Sequence, residues 1–326
     1  MPIVESDSLL RLELGGNKIN RIPAGSILPR LQRIDLSNNQ LTDGGIEPGA
    51  FDGITAVRTM ILNDNELTRF PVGLPASIEE LYINDNKIRE FSTLSVQHLS
   101  QIQTLEMRNN KVNDQVWLNK KCVYIIYWQV TPLCTELIIF FQSFPGAVFS
   151  YWGELTELDL SHNHLSQFPR GLQSKLQTLR LSSNQMEFLL RQDFTGLGQL
   201  RKLDLSYNRL RSIEDGSLGS LQSLQEIDLS GNDWSCDCYM RPLKEFLDNN
   251  PYHKGQREQL VCGGDEMSGE MIDFIHDDKM KCPNVGFNIT IDSEQSTATV
   301  RWNQPSTFAP PFVQWRLKLS IFTSNG

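Results

Sequence analysis

The sequence predicts an α/β solenoid: a curved parallel β-sheet with an irregular convex side, closed by a disulfide cap and followed by part of a β-sandwich. Three observations carry this expectation. One template, L-x-x-L-x-L-x-x-N-x-L, fits the 326-residue chain nine times. Four cysteines cluster directly after the last copy. Beyond Pro283 the apolar residues change to simple alternation. Repetition is read before anything else, because a single repeat cannot bury its apolar face and stacked repeats share one continuous core.

The copies open at Leu9, Leu31, Val57, Ile78, Ile102, Leu155, Leu176, Leu200 and Leu224. Their ninth positions are Asn17, Asn39, Asn65, Asn86, Asn110, Asn163, Asn184, Asn208 and Asn232. Positions 4 and 6 alternate as on a short strand, so that pairs such as Leu158 and Leu160, or Leu203 and Leu205, face inward. The asparagine amide carries donors and an acceptor. Placed just after the strand, it is expected to bond to the turning backbone and to its neighbour. A buried backbone group without such a partner costs about 1–3 kcal/mol. The openers are 22, 26, 21, 24, 53, 21, 24 and 24 residues apart. The shorter repeats imply a tight convex side. The longer ones have room for phrases such as Ala50-Phe51-Asp52-Gly53-Ile54 and Phe194-Thr195-Gly196-Leu197, whose apolar residues fill the convex layer.

With these residues in view, the chain resembles extracellular leucine-rich-repeat proteins, and the expected fold is an α/β leucine-rich-repeat solenoid. Phe70-Pro71-Val72-Gly73-Leu74-Pro75 and Phe168-Pro169-Arg170-Gly171-Leu172 are similar to the short repeats of the small leucine-rich proteoglycans. The resemblance covers roughly residues 9–112 and 155–232. It implies a matrix or cell-surface setting, and similar phrases occur in neuronal adhesion and innate-immune receptors. The repeats are expected over 1–230, the cap over 231–283 and the tail over 284–326.

The 53-residue gap holds an aromatic-rich stretch, Val116–Trp152, within an anomalous segment at 113–153. Three readings compete. It hides a degenerate repeat opening at Cys134, with Leu137 and Ile139 inward and Gln142 in the asparagine place. It is non-native sequence. Or it is a membrane segment, which Gln129, Pro132, Glu136 and Gln142 argue against, since a spanning helix needs about 20 mostly apolar residues. In the first case Phe140 and Phe141 would face outward. Cys122 and Cys134 are left unassigned.

The cap reads C-x-C-x23-C-x19-C, from Cys236, Cys238, Cys262 and Cys282. Between them Pro242–Leu247 reads as a short amphipathic helix. Two close C-x2-C pairs would suggest zinc, and C-x-C does not fit that spacing. The pattern and its place after the last repeat resemble the C-terminal flanking domain of extracellular leucine-rich-repeat proteins. That resemblance implies Cys236–Cys262 and Cys238–Cys282 bridges. A solenoid end exposes its core and needs a polar cap, and disulfides persist in oxidising compartments.

In the tail, Thr297–Trp302 and Phe312–Leu319 alternate like strands. The segment resembles the first half of a fibronectin type III domain with Trp302 in its core, and an immunoglobulin-like start is the alternative. Trp315 stands where that family usually has tyrosine. Asn288-Ile289-Thr290 is an N-glycosylation sequon, which places Asn288 as a glycosylation candidate.

Composition narrows the function. The chain has 39 acidic and 30 basic residues, a net charge of −9, which argues against nucleic acid as a partner. Met1–Asp7 lacks the charged and apolar regions of a signal peptide, so secretion would imply that the true start lies upstream. No phosphate-binding glycine loop, G-x-S-x-G or H-E-x-x-H motif occurs. His162 and His164 form an H-x-H pair with too few ligands for a metal site. Asp35, Asp159, Asp204 and Asp228 share position 5 and belong to the repeat. The expectation is therefore a binding protein, not an enzyme, with no cofactor and no metal. Positions 2, 3, 5, 7 and 8 face the concave side. Its non-stereotyped residues are the ligand-binding candidates: Glu79, Glu80, Tyr82, Glu106, Arg108, Arg180, Arg201, Lys202 and Tyr207. Tyrosine and arginine dominate binding hot spots. A protein ligand of an extracellular matrix or adhesion-receptor module is the leading reading. An innate-immune or signalling receptor ectodomain and an intracellular scaffold are the alternatives, and a membrane tether would lie outside this chain.

Overall fold

A computed structural model describes residues 9–25, 29–89, 91, 93–113, 148–249, 260–263, 268–271, 280, 287–292 and 297–302. In chain order the elements are β1 (Arg11–Glu13), β2 (Arg33–Asp35), β3 (Thr59–Ile61), β4 (Glu80–Tyr82), α1 (Thr93–Val96), β5 (Thr104–Glu106), β6 (Glu157–Asp159), β7 (Thr178–Arg180), β8 (Phe188–Leu189), β9 (Lys202–Asp204), β10 (Ser212–Ile213), β11 (Glu226–Asp228), α2 (Arg241–Asn249), β12 (Phe287–Asp292) and β13 (Thr297–Trp302). Nine of the strands form one parallel sheet in the order β1-β2-β3-β4-β5-β6-β7-β9-β11. Each begins two residues after a repeat opener, so the register aligns equal template positions across the sheet, as in Leu105 opposite Leu158. The leucine-rich-repeat solenoid is thus observed.

Period-two alternation decides what each strand buries. From β2 onward, the position-4 and position-6 side chains (Ile34 and Leu36 through Ile227 and Leu229) are buried. In β1 the equivalent Leu12 and Leu14 are only half-buried, because no described repeat stacks on that edge.

The asparagines form the expected ladder. The Asn39 amide donates to the carbonyls of Leu36 and Ser37 in its own repeat and of Leu14 in the preceding one. Its Oδ1 accepts the Ile19 N–H at 2.9 Å. Asn65, Asn86, Asn110, Asn163, Asn184, Asn208 and Asn232 likewise each accept one N–H from the repeat before. One residue earlier, position 8 is left-handed in every repeat, with φ between 49° and 70°. Gly16, Asn38, Asp64, Asp85, Asn109 and Gly231 suit that region. His162, Ser183 and Tyr207 adopt it as well, held there by the ladder bond that follows.

β5 pairs directly with β6, and the ladder crosses the 53-residue gap without change: the Val112 N–H donates to Asn163, and Asn163 donates to the Met107 carbonyl. Among the described residues no strand stands between β5 and β6. The repeat expected at Cys134 lies outside the described residues, as do Cys122, Phe140 and Phe141. The end of the aromatic stretch belongs to the solenoid. Phe149 and Trp152 are buried, and the Trp152 indole donates to the Val96 carbonyl. Their rings continue a convex aromatic run, with Phe91 on Phe70 at 5.1 Å and Phe70 near Trp152 at 6.2 Å. In the longer repeats Phe51, Ile54, Phe194 and Leu197 fill the convex layer.

At the C-terminal end, Trp234 takes the last inward position and is fully buried. Helix α2 buries Leu243 and Leu247, four residues apart on one face, and leaves Glu245 and Asp248 exposed. Cys236 is bonded to Cys262, as the resemblance implied. Cys238 is also disulfide-bonded, while Cys282 lies outside the described residues. A closed loop of this size stabilises by roughly 3 kcal/mol. In the tail, β12 pairs antiparallel with β13, Phe287 opposite Trp302 and Asn288 opposite Arg301. The second expected strand, Phe312–Leu319, lies outside the described residues.

Candidate ligand-binding face

The concave surface is built from two rows of side chains. Across β1 to β11, position 3 reads Arg11, Arg33, Thr59, Glu80, Thr104, Glu157, Thr178, Lys202, Glu226. Position 5 reads Glu13, Asp35, Ile61, Tyr82, Glu106, Asp159, Arg180, Asp204, Asp228.

The position-5 aspartates are tied into the backbone. Asp35 Oδ1 accepts both the N–H and the hydroxyl of Ser37, at 2.9 and 2.6 Å. Asp204 holds Ser206, and Asp228 holds Ser230, in the same way. Asp159 accepts the Ser161 N–H at 2.9 Å. These carboxylates brace the turn after the strand and so belong to the repeat.

Repeats 3–5 lack this brace. Position 5 holds Ile61, Tyr82 and Glu106, and position 7 holds Asn63, Asn84 and Arg108. A second amide ladder replaces it: Asn63 accepts the Asn84 N–H at 2.8 Å, and Asn84 accepts the Arg108 N–H at 2.7 Å. The Asn84 amide then donates to Glu106 at 2.9 Å, and the Thr59 hydroxyl donates to Glu80 at 3.1 Å. The side chains of position 5 are released from backbone duty and line the face. Tyr82 sits half-buried among them. Burial, and then the carboxylates of Glu80, Glu106 and Glu157, raise its phenol above the ordinary value, with Arg33 opposing.

The nine candidates therefore divide. Glu80, Tyr82 and Glu106 stand on the adjacent strands β4 and β5, with exposed Arg108 two residues beyond. Glu79 turns aside to pair with Arg58. Arg180 lies between Asp159 and Asp204 in the position-5 row. Lys202 pairs with Glu226 at 2.8 Å, beside exposed Arg201. Tyr207 is 67% exposed at the left-handed turn, and its ring lies against Gly231, where an added Cβ would meet it at 2.7 Å. β9 is four places from β4, roughly 19 Å at about 4.8 Å per strand, so Arg201 and Lys202 stand apart from Tyr82. Thr59, Ile61, Asn63, Asn84 and Glu157 join the first group and were not among the candidates. For Ile61, Asn63 and Asn84 the signal was readable: three consecutive repeats depart from Asp-x-Ser at positions 5 and 7.

His162 and His164 are both exposed, at positions 8 and 10 of the sixth repeat. On the convex side, a small cavity is lined by Pro169, Arg170, Leu172, Gln192, Asp193 and Leu197 among others. Burial raises the Asp193 carboxyl there against the Leu190 N–H and Arg170, with Glu214 adding to the rise.

Leucine rich repeat models match residues 7–67, 154–174 and 174–233. The fold is that of a leucine-rich-repeat solenoid. Over 294 residues the chain is 26% identical to human Leucine-rich repeat transmembrane protein FLRT2, covering 90% of the chain and 40% of that protein. It is 30% identical to human Podocan-like protein 1 over 158 residues, covering 48% of the chain and 26% of that protein. It is 32% identical to chicken (Gallus gallus) Lumican over 160 residues, covering 48% of the chain and 38% of that protein. The chain thus spans less than half the length of these relatives. A chain of a solved octameric complex of Latrophilin 3 (Lec, Olf), Unc5D (Ig, Ig2, TSP1) and FLRT2 (LRR) superposes with a TM-score of 0.70 at 25% identity, covering 85% of this chain and 78% of that one.

Proposed function

We propose that this chain is an extracellular protein-interaction module, of a matrix protein or adhesion-receptor ectodomain, that binds a protein ligand on its concave face and performs no catalysis. One observation carries the reading. Over repeats 3–5 the position-5 side chains are freed from bracing the repeat, and Tyr82, Glu80, Glu106 and Arg108 stand together there. Side chains that do no structural work on a curved, rigid sheet are available for recognition. The extracellular setting is supported by the Cys236–Cys262 bridge, which persists in oxidising compartments. It is supported also by similarity to a transmembrane leucine-rich-repeat protein. N-glycosylation at Asn288 and a fibronectin type III-like or immunoglobulin-like tail are part of the same proposal.

The test is surface plasmon resonance of the secreted chain against the Unc5D Ig–Ig2–TSP1 and Latrophilin 3 Lec–Olf segments, the partners present in the similar complex. The expected result is binding to one of them that a Tyr82→Ala, Arg108→Glu double variant weakens by roughly tenfold or more, with no change in Tm. Affinity unchanged by the double variant would place the ligand elsewhere and end the concave-face reading.

A further inference from the structure

We infer that the concave floor over β4, β5 and β6 seats a cationic side chain, arginine or lysine, presented by a loop or strand of the protein partner. Tyr82 would form the aromatic base of the seat, and Glu80, Glu106 and Glu157 its counter-charges. This inference rests on the concave-face reading and specifies the partner's chemistry.

The charge balance of the sheet points to it. Glu226 is matched by Lys202, and Glu79 by Arg58. Asp35, Asp204 and Asp228 are each held by a serine N–H and hydroxyl. Among the described residues, Glu80, Glu106 and Glu157 have no ion-pair partner. Glu80 and Glu106 are oriented by neutral donors, the Thr59 hydroxyl and the Asn84 amide, which fix the carboxylates without cancelling their charge. The cation acting on Tyr82 is Arg33, two strands away on β2, roughly 10 Å. Arg108 lies two residues beyond Glu106, and Arg180 stands one strand beyond Glu157; neither forms an ion pair with the three carboxylates among the described residues, which stay unpaired beside Tyr82.

An arginine or lysine reaching this spot meets both attractions that a cation seeks, a π face and carboxylates in a partly desolvated concavity. A metal ion fits less well. Among the described residues no three His, Cys, Asp or Glu side chains converge closely enough to hold one. The carboxylates are spread over three adjacent strands, a spacing that suits a long cationic side chain lying among them.

The experiment measures the affinity of the full secreted chain for a fluorescent Gly-Arg-Gly-Arg-Gly peptide, by anisotropy. A Glu80→Gln, Glu106→Gln, Glu157→Gln variant is compared with a control of equal charge change on exposed acids elsewhere, Glu187→Gln, Glu245→Gln, Glu270→Gln. The concave variant is expected to weaken binding about fivefold or more, and the control less than about twofold. Tyr82→Leu should weaken it about two- to fivefold, and Tyr82→Phe should leave it intact, because phenylalanine keeps the π face. Matching unfolding curves establish that each variant is folded. Equal losses in the two triple variants, or no loss in either, would overturn the seat. If the Unc5D or Latrophilin 3 segment is still lost with Tyr82→Ala, Arg108→Glu while the concave triple variant keeps the peptide, the seat fails and the concave-face reading stands. If the double variant leaves the protein partner bound, that reading fails instead.

Discussion

Repeats 3–5 and repeats 6, 8 and 9 share one sheet, one core and one asparagine ladder, yet they use positions 5 and 7 in opposite ways. In the later repeats an aspartate holds the following serine and so braces the turn. In the earlier ones the turn is braced by Asn63 and Asn84, and position 5 is free to carry Ile61, Tyr82 and Glu106. Moving the brace from position 5 to position 7 frees the position-5 side chains of these repeats, which is what the proposed recognition surface requires.

The largest expected effect is one that the two regions share. Asn86→Ala and Asn184→Ala each strand one buried N–H and several buried carbonyls. Each should cost about 3 kcal/mol in urea unfolding. Similar values would show that the ladder is common to both regions. A loss confined to one of them would break the comparison at its base.

The next effect separates the regions. Asp204→Ala removes the acceptor of two bonds from Ser206 and should cost about 1 kcal/mol. Asn84→Ala should cost a similar amount, since it takes the acceptor from Arg108 and the donor from Glu106. Tyr82→Ala, with no bracing role, should cost roughly half as much or less. A Tyr82 variant less stable than the Asp204 variant would reverse the assignment.

Acid sharpens the picture from outside the face. Burial pushes the Asp43 carboxyl up, but the hydroxyl and N–H of Thr68 and the N–H of Arg69 outweigh it and hold the group below its ordinary value of 3.8. A lowered folded value means that the stabilisation is present above pH 3.8 and is lost as pH falls through that lowered value. Solvent exposure limits it to a few tenths of a kcal/mol. Asp43→Asn should flatten that part of the stability curve between about pH 2 and 4, and a variant that keeps the full acid loss would contradict the account.

The smallest expected effect is none. Because β5 meets β6 directly and the ladder crosses between them, replacing residues 114–147 by a short Gly-Ser link should leave Tm within about 4 °C. Failure of that protein to fold would show that the intervening stretch is part of the core.

Much of this was legible in the sequence, because repeat physics is local. Nine openers, inward positions 4 and 6 and the asparagine offset follow from fixed spacings, and the Cys236–Cys262 bridge from the resemblance to a C-terminal flanking domain. The candidate face was legible only in part. Tyr82, Glu80 and Glu106 stand out in the sequence because they break the pattern. Glu79 was included although it is drawn to Arg58, a contact that depends on side-chain reach between strands and leaves no mark in the template. Asn84 was overlooked because asparagine is so common in these repeats. The direct pairing of β5 with β6 was also hidden, since a sequence gap does not say where the chain leaves the stack.

An alanine scan along the position-5 row tests the central claim most directly, with affinity for the bound protein partner and unfolding free energy measured on the same samples. The account predicts opposite profiles. Ile61, Tyr82 and Glu106 should govern affinity with little change in stability, and Asp159, Asp204 and Asp228 should govern stability with little change in affinity. Affinity losses spread evenly along the row, or centred on the aspartates, would contradict it.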